Sequence, residues 1–464
     1  MAAKLESNAD MRPSQIDNAT PLASRRSLPS KCALLALSTG LIWLIASDWQ
    51  ILVFILTMVT GAWVAITIGD RLLLHDRARA IAAGVSIAGA MTAIIGANVS
   101  GLLGTLTGTA ATLQNQWPVL LGITFYALQV GGVASDVFRR TIVRPALIDY
   151  LVFILLGFKF YSGPLERATD LDRIVNHVNA RTADVLWDGF SWVLLGVFMK
   201  FVIANPMAEL IILNTDDPIS TLAVATVAEL RIYFDFAGYS FMALGLARLA
   251  GIELTNNFRQ PLFAANLPDF WHRWHASFGN WLRQYIYFPL RDAMRERQMP
   301  TRLLAPSVFM VSAIWHGGTV NFAIWGAVHA FAFWMFVAVL SKRRWSTLAA
   351  HGSIVALLIF VRLLYIDADT DRLFGKLAQF VDLGAWHAGL TALSKLTDST
   401  FPKRALFAIG LSLAFILLEW VSIRRFGTHD YRLFRSLPAM AVILVLTVLF
   451  VHHSPSAIFV YARN

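Results

Sequence analysis

His316 stands in the run Ser312-Ala313-Ile314-Trp315-His316-Gly317-Gly318, inside a long apolar stretch. An ionisable side chain in such a stretch is costly in hydrocarbon and is a functional hypothesis by default. Imidazole titrates near neutrality, so a histidine there can act as a general base. The two glycines after it allow a substrate or another backbone to come close. The plainer alternative is a histidine that hydrogen-bonds a neighbouring helix.

A second cluster runs from Asp269-Phe270-Trp271-His272-Arg273-Trp274-His275-Ala276-Ser277-Phe278 to Trp281-Leu282-Arg283-Gln284-Tyr285. Helical spacing puts Trp271, Trp274, His275, Phe278, Leu282 and Tyr285 on one face. On that reading His275 turns toward aromatic packing, while Arg273 and Arg283 are placed to reach a charged group. An interfacial helix anchored by aromatic belts, with snorkelling arginines, explains the aromatics but not His275. His272 and His275 share the i, i+3 spacing of metal ligands, yet no Glu or Cys nearby completes a set, so no metal is expected. The third feature is Tyr233-Phe234-Asp235-Phe236-Ala237-Gly238-Tyr239-Ser240. Asp235 and two tyrosines within an apolar segment, next to a glycine, predict a break in the helix that lines a polar cavity. A structural kink with Asp235 paired to an arginine is the alternative.

The elements that must position these residues are membrane helices. Hydrophobic residues make up 57% of the 464, charged residues only 15%, and mean hydropathy is +0.58. A soluble chain of this length would carry far more surface charge. A bilayer core of roughly 30 Å takes about 20 helical residues to cross, and backbone in lipid must bond internally, so the apolar runs read as helices. The expected spans are Cys32–Gly69 (two helices interrupted near Asp48), Ile81–Leu103, Trp117–Val133, Leu147–Phe160, Val185–Ile203 and Ser220–Gly251. Ala305–Leu340, folded back at Gly317 and Gly318, follows, then Ile354–Ile366, Ala405–Val421 and Pro438–His452. The fold class is therefore an all-α polytopic membrane protein of about ten spans. Residues 252–302 are too polar to cross lipid and read as re-entrant or interfacial helices. Residues 367–403, with Asp367, Asp369, Asp371, Asp382 and Asp398, read as the longest external loop.

Residues 1–30 read as a disordered cytoplasmic tail, and 31–464 as one transmembrane domain with its core motifs at 232–330. Arg25, Arg26 and Lys31 precede the first span and place the N-terminus inside. The net charge of +10 sits in short loops such as Arg139-Arg140 and Lys342-Arg343-Arg344. That is the positive-inside pattern of a cytoplasmic membrane, and it leaves no basic soluble domain for nucleic acid. Cys32 is the single cysteine and reads as a small apolar residue rather than a reactive thiol.

Taken in order, these segments resemble the membrane-bound O-acyltransferase family, in particular its bacterial alginate, peptidoglycan and teichoic-acid branch. The resemblance is carried by Ile232 through Ser240, Asn257-Phe258, Asp269-Phe270-Trp271, Arg273-Trp274-His275, Trp315-His316-Gly317, Trp325-Gly326 and His329. Gly163-Pro164-Leu165-Glu166-Arg167 resembles a loop of the same family. The resemblance implies helices around a central funnel or tunnel, with His316 matching the catalytic histidine and His275 the second characteristic one. It also implies Asp235, Tyr239, Arg273, Trp274, Trp315, Asn321 and His329 as candidate tunnel-lining residues. Tyr461, near the C-terminus, resembles a tyrosine that relays the acyl group in some family systems. His272 stands where relatives usually carry Arg or Asn, and no role is carried over to it.

The function implied is transfer of an acyl group, acetyl first, from a cytoplasmic thioester to hydroxyls of an envelope polysaccharide or peptidoglycan. The donor would be acetyl-CoA or an acyl-carrier protein, used as co-substrate with no permanently bound cofactor. The partners implied are membrane lipid, the donor, and a periplasmic transferase or acceptor polymer. D-alanyl transfer to a teichoic-acid-like acceptor is the alternative within the class. A transporter, or a scaffold for a separate transferase, is the alternative outside it.

Overall fold

The computed structural model describes residues 22–46, 49–107, 120–159, 163–179, 182–211, 217–298, 304–316, 320–338, 347–366, 370–392, 403–427 and 430–451. The described chain is mostly helical and includes a two-stranded antiparallel ribbon of Leu22–Arg25 with His177–Asn179. Of the segment read as a tail, residues 22–30 are described: they form that strand and the start of the first helix.

The apolar runs form helices in the expected order. These are α1 (Leu28–Ala46), α2 (Trp49–Leu72), α3 (Asp76–Thr107), α4 (Leu120–Phe138) and α5 (Ala183–Val197). There follow α6 (Pro218–Leu249), α7 (Leu267–Arg273), α8 (Ala276–Leu282), α9 (Leu304–His316) and α10 (Val320–Ala338). Last come α11 (Thr347–Ile366), α12 (Lys403–Phe426) and α13 (Leu437–Val451). Among the described residues, Trp49–Leu72, Ala183–Ile211, Val320–Val337 and Lys403–Phe426 are long and apolar enough to cross a membrane, and shorter apolar helices accompany them. Large apolar side chains such as Leu413, Leu417, Val445 and Val448 point outward, as the lipid-facing surface of a bundle requires. The Leu147–Phe160 run is helical only over Leu147–Ile154.

Three expectations are corrected. First, α6 is one continuous helix through Tyr233–Tyr239, with no break. Its Asp235 carboxylate is neutralised in place by Lys200, which lies in a π-helical turn (Phe198–Ala204) continuing α5. Ion pairing removes the need for the helix to open around the charge. Second, residues 267–285 are not one helix. α7 ends at Trp274, His275 takes a left-handed conformation (φ 46°), and α8 starts afresh. Third, the segment read as an external loop holds two helices, Thr370–Gln379 and Leu383–Ala392.

The centre of the bundle is the α5–α6 crossing. Gly189 and Gly196 on α5 face Gly245 and Gly238 on α6, so closely that a Cβ on Gly245 would lie 2.5 Å from the Gly189 carbonyl. Small residues at such a seam let two backbones touch, which is how membrane helices gain packing when lipid tails compete for every apolar contact.

Candidate active site

The loop that precedes His275 is built by caps. Asn266 accepts from the Asp269 N–H at 2.9 Å, and Pro268 occupies the first turn of α7. Both are ordinary helix-start chemistry. Asp269 in turn holds Arg273 at 2.8 Å, one helical turn on. Phe258 bridges to Trp274, bringing residues 257–259 alongside the end of α7.

Asn257 then fixes the kink. Its backbone carbonyl accepts from Ala276 N–H at 3.1 Å, and its side-chain Oδ1 accepts from Ser277 N–H at 3.1 Å. These are first-turn donors of α8, otherwise without an intrahelical acceptor. Ser277 Oγ accepts from Leu165 N–H at 2.8 Å, tying the Gly163–Arg167 loop to the same turn. Glu166 in that loop accepts from Thr255 N–H at 2.6 Å and from its hydroxyl at 2.8 Å. Burial and the nearby Asp170 push the Glu166 pKa up, and the Thr255 backbone hydrogen bond opposes them. His275 is a non-glycine residue at positive φ, a conformation that persists only where surroundings hold it. The clamp from Asn257 supplies that hold.

His275 is 9% exposed and ringed by aromatics. Phe236 from α6 meets it edge-on at 4.7 Å between centroids, Phe278 lies at 5.1 Å and Trp315 at 6.2 Å. Trp315 contacts His316 at 4.7 Å, and His316 meets Trp325 at 5.1 Å. Trp325 packs on His329 at 4.2 Å. The three histidines from three separate elements are thus strung on two tryptophans. His316 closes the described part of α9, and Gly317 and Gly318 fall outside the described residues. On α10, Asn321, Trp325 and His329 recur every four residues and share a face, with Asn321 and His329 both buried. The His329 Nδ1 is bonded to the Trp325 carbonyl at 2.9 Å, which orients the ring.

Several buried polar atoms here have no partner among the described residues: His275 Nδ1, Trp271 Nε1, Trp315 Nε1, Asn257 Nδ2 and Ser240 Oγ. A buried donor or acceptor left unsatisfied costs about 1–3 kcal/mol. His275 and Trp315 belong to the aromatic cluster itself, and Asn257 clamps the turn that carries His275.

Other predicted site residues are committed elsewhere. Asp235 faces α5 and Lys200. Trp274 stacks on Phe270 at 5.7 Å and packs against Tyr233 at 6.1 Å. Tyr239 is half-buried against the main apolar core. Arg273 is held by Asp269, and Arg283 is bonded to His272 Nδ1 at 2.8 Å and to Asn280. Neither arginine is thus poised as an open anion site, as the sequence suggested. Tyr461 lies outside the described residues.

Sequence reasoning passed over Lys200, Glu229, Arg362 and Glu419. Glu229 and Arg362 pair at 2.6 Å between α6 and α11, and Glu419 on α12 accepts from Tyr233 at 2.5 Å. The signal was present: each is an ionisable residue within an apolar run, the same rule that singled out His316. Asn257 had no such signal, because its role depends on a carbonyl and an amide that meet only in the fold.

A helical membrane bundle with buried, aromatic-linked histidines is what fold and site define. Residues 143–366 match the sequence profile of the membrane-bound O-acyltransferase family. The chain is 27% identical over 321 residues to a protein named as a probable alginate O-acetylase of Pseudomonas syringae pv. tomato, covering 67% of this chain and 59% of that one. It is 31% identical over 196 residues to the peptidoglycan O-acetyltransferase of Helicobacter pylori, covering 40% and 36%. It is 29% identical over 193 residues to the teichoic acid D-alanyltransferase of Bacillus subtilis, covering 39% and 49%. The chain spans less than two thirds of the length of each of these relatives. These matches fall on the segment that carries His275 and His316, and they are to the family that the motifs resemble.

Proposed function

We propose that the protein is an O-acyltransferase of the bacterial cytoplasmic membrane, multi-pass with its N-terminus inside. It takes an acyl group, acetyl first, from a cytoplasmic thioester and delivers it to hydroxyls of an extracytoplasmic polysaccharide or peptidoglycan. The observation that carries this reading is the pair of buried His275 and half-buried His316, joined through Trp315, with His275 Nδ1 and Trp315 Nε1 left without a partner among the described residues.

In this mechanism His316 removes the proton from the acceptor hydroxyl as its oxygen attacks the thioester carbonyl. The C–S bond breaks, and the proton passes from His316 to the departing thiolate. A positioned base contributes about 10²–10⁴-fold. His275 donates to the carbonyl oxygen as charge develops there, or orients the acceptor. The aromatic walls exclude water and hold the two substrates in register. Acetyl-CoA or an acyl-carrier protein supplies the thioester, and a periplasmic transferase or the polymer itself receives the product. D-alanyl transfer is the second reading, favoured by the similarity to a teichoic acid D-alanyltransferase.

The test is mass spectrometry of envelope polymers from cells lacking the protein, complemented with wild type or with His316→Ala. An ester-linked group that disappears on deletion and returns only with wild type supports the reading, and its mass names the acyl group. Full restoration by His316→Ala at matched expression rejects the mechanism and points to a scaffold or transporter.

A further inference from the structure

The helices α2 and α3 lie outside the segment that matches the family profile. Each packs against α4, and a groove of about 320 Å³ opens among the three. Its walls are Met58, Ala62 and Ala65 of α2, Ala90 of α3, and Ala127 and Gly131 of α4. The alanines and Gly131 make the space, and Ala65 is exposed. The one side-chain hydroxyl in the lining, Ser86 Oγ, already donates to the Ala82 carbonyl at 2.8 Å. The groove therefore offers an occupant nothing but apolar contact.

One end of it is formed by Phe138. From there the chain runs straight into Arg139 and Arg140, both exposed. The Arg144 guanidinium lies 5.7 Å over the Trp63 ring and 3.3 Å from Thr67 Oγ1. It therefore rests on the turns of α2 that carry Ala62, Ala65 and Ile66. The α2–α3 turn adds Arg71, Arg77 and Arg79, so six arginines gather where Asp70 and Asp76 are the acidic residues of that turn. Asp70 bonds Arg79 at 2.9 Å and lies 3.8 Å from Arg144, and Asp76 lies 3.7 Å from Arg140 with both side chains well exposed. Asp136, two residues before Phe138, is buried and taken by Tyr285 at 2.7 Å. Positive charge remains in excess at the end of an apolar slot.

We propose that the α2–α3–α4 groove holds an acyl chain of an anionic phospholipid, with the headgroup phosphate bound by Arg139, Arg140 and Arg144. Apolar walls match the chain, and guanidinium groups match phosphate oxygens in geometry and charge. A zwitterionic lipid fills the slot equally well but gains less at the arginine end. The site is independent of the acyl-transfer reading.

The experiment is native mass spectrometry of the full chain in detergent, offered equimolar phosphatidylglycerol and phosphatidylcholine with identical acyl chains. The wild type should retain phosphatidylglycerol in preference. The Arg139→Gln/Arg140→Gln variant, altered only at exposed positions, should lose that preference by roughly fivefold per charge. Ala65→Trp, which fills the groove, should lower retention of both lipids. Equal retention of the two lipids by wild type overturns the proposal. So does an unchanged preference in the arginine variant, or unchanged retention in Ala65→Trp.

Discussion

Tyr233, midway along α6, donates its hydroxyl hydrogen to Glu419 Oε1 of α12 at 2.5 Å, across 186 residues of sequence. The Tyr431 hydroxyl lies 2.9 Å from that of Tyr233, and accepts from the Gln260 N–H at 3.1 Å. All three side chains are buried. The same Tyr233 ring packs on Phe258 and Trp274, at 6.2 and 6.1 Å between centroids. A carboxylate outside the family-matched segment thus braces the residues that lead into His275. Replacing Glu419 by Ala removes the acceptor and leaves one buried hydroxyl hydrogen unpaired, at a cost of about 1–3 kcal/mol. Glu419→Gln keeps an acceptor oxygen and should recover most of the loss. Thermal unfolding of the detergent-solubilised variants checks the order: wild type, then Gln, then Ala.

The Lys200–Asp235 pair makes a second prediction. Both side chains are buried between α5 and α6. Removing one partner strands a charge in the bundle, which typically costs about 3–5 kcal/mol. Lys200→Met and Asp235→Asn should each fold poorly, and the double variant should be more stable than either. A double-mutant cycle on melting temperature reads the coupling. Additive losses would show that Lys200 and Asp235 do not act as a pair.

Asn257 holds the turn that carries His275 without itself being required to touch a substrate. Asn257→Ala removes the Oδ1 that accepts from Ser277 N–H, while Asn257→Asp retains an acceptor at that place. Acyl transfer to a soluble acceptor analogue should fall about tenfold or more in the Ala variant, since a misplacement near 1 Å costs up to about 10²-fold. The Asp variant, which keeps the acceptor but buries a charge and loses the Nδ2 donor, should recover only part of the activity at equal protein level. Loss of folded protein in both variants, measured by size-exclusion chromatography, would instead assign Asn257 a purely structural role.

Apolar helices were readable because their run lengths and the bilayer's thickness are the same physical quantity. The expected Ser220–Gly251 span is the observed Pro218–Leu249 helix. Breaks were harder. Trp271, His275, Phe278, Leu282 and Tyr285 keep a helical period straight through a point where the backbone turns left-handed. Periodicity records which side chains are buried, and a kink whose flanks are both buried leaves the pattern intact. Asp235 misled in the opposite sense: its charge suggested a break, and only the position of Lys200, 35 residues earlier, shows that none is needed. The Thr370–Gln379 helix carries Leu373 and Leu377 four residues apart, a weak signal outweighed by the acidic residues around it. His275 and His316 were found from local motifs, but their connection through Trp315 is a tertiary fact.

The glycines at the α5–α6 seam lead to the last prediction. Gly189 and Gly196 are seven residues apart, as are Gly238 and Gly245, so each pair lies on one helical face two turns apart. A Cβ on Gly238 would sit 2.8 Å from the Gly196 carbonyl oxygen and 3.0 Å from Lys200 N. A Cβ on Gly245 would meet backbone at 2.5 Å and Val193 at 2.7 Å. The obstacles are backbone atoms, which cannot swing aside as a flexible side chain can, so the helices must move apart. Separation also pulls Lys200 from Asp235 on the same faces. Gly245→Ala should therefore destabilise the protein by about 1–3 kcal/mol, the usual range for overpacking, and Gly245→Val by more. Gly410, whose Cβ would meet nothing within 4 Å, is the control, and Gly410→Ala should be neutral or slightly stabilising because alanine favours helix. Melting curves of the three variants decide it: equal stability of the Gly245 and Gly410 alanine variants would mean that close backbone contact does not hold this crossing together.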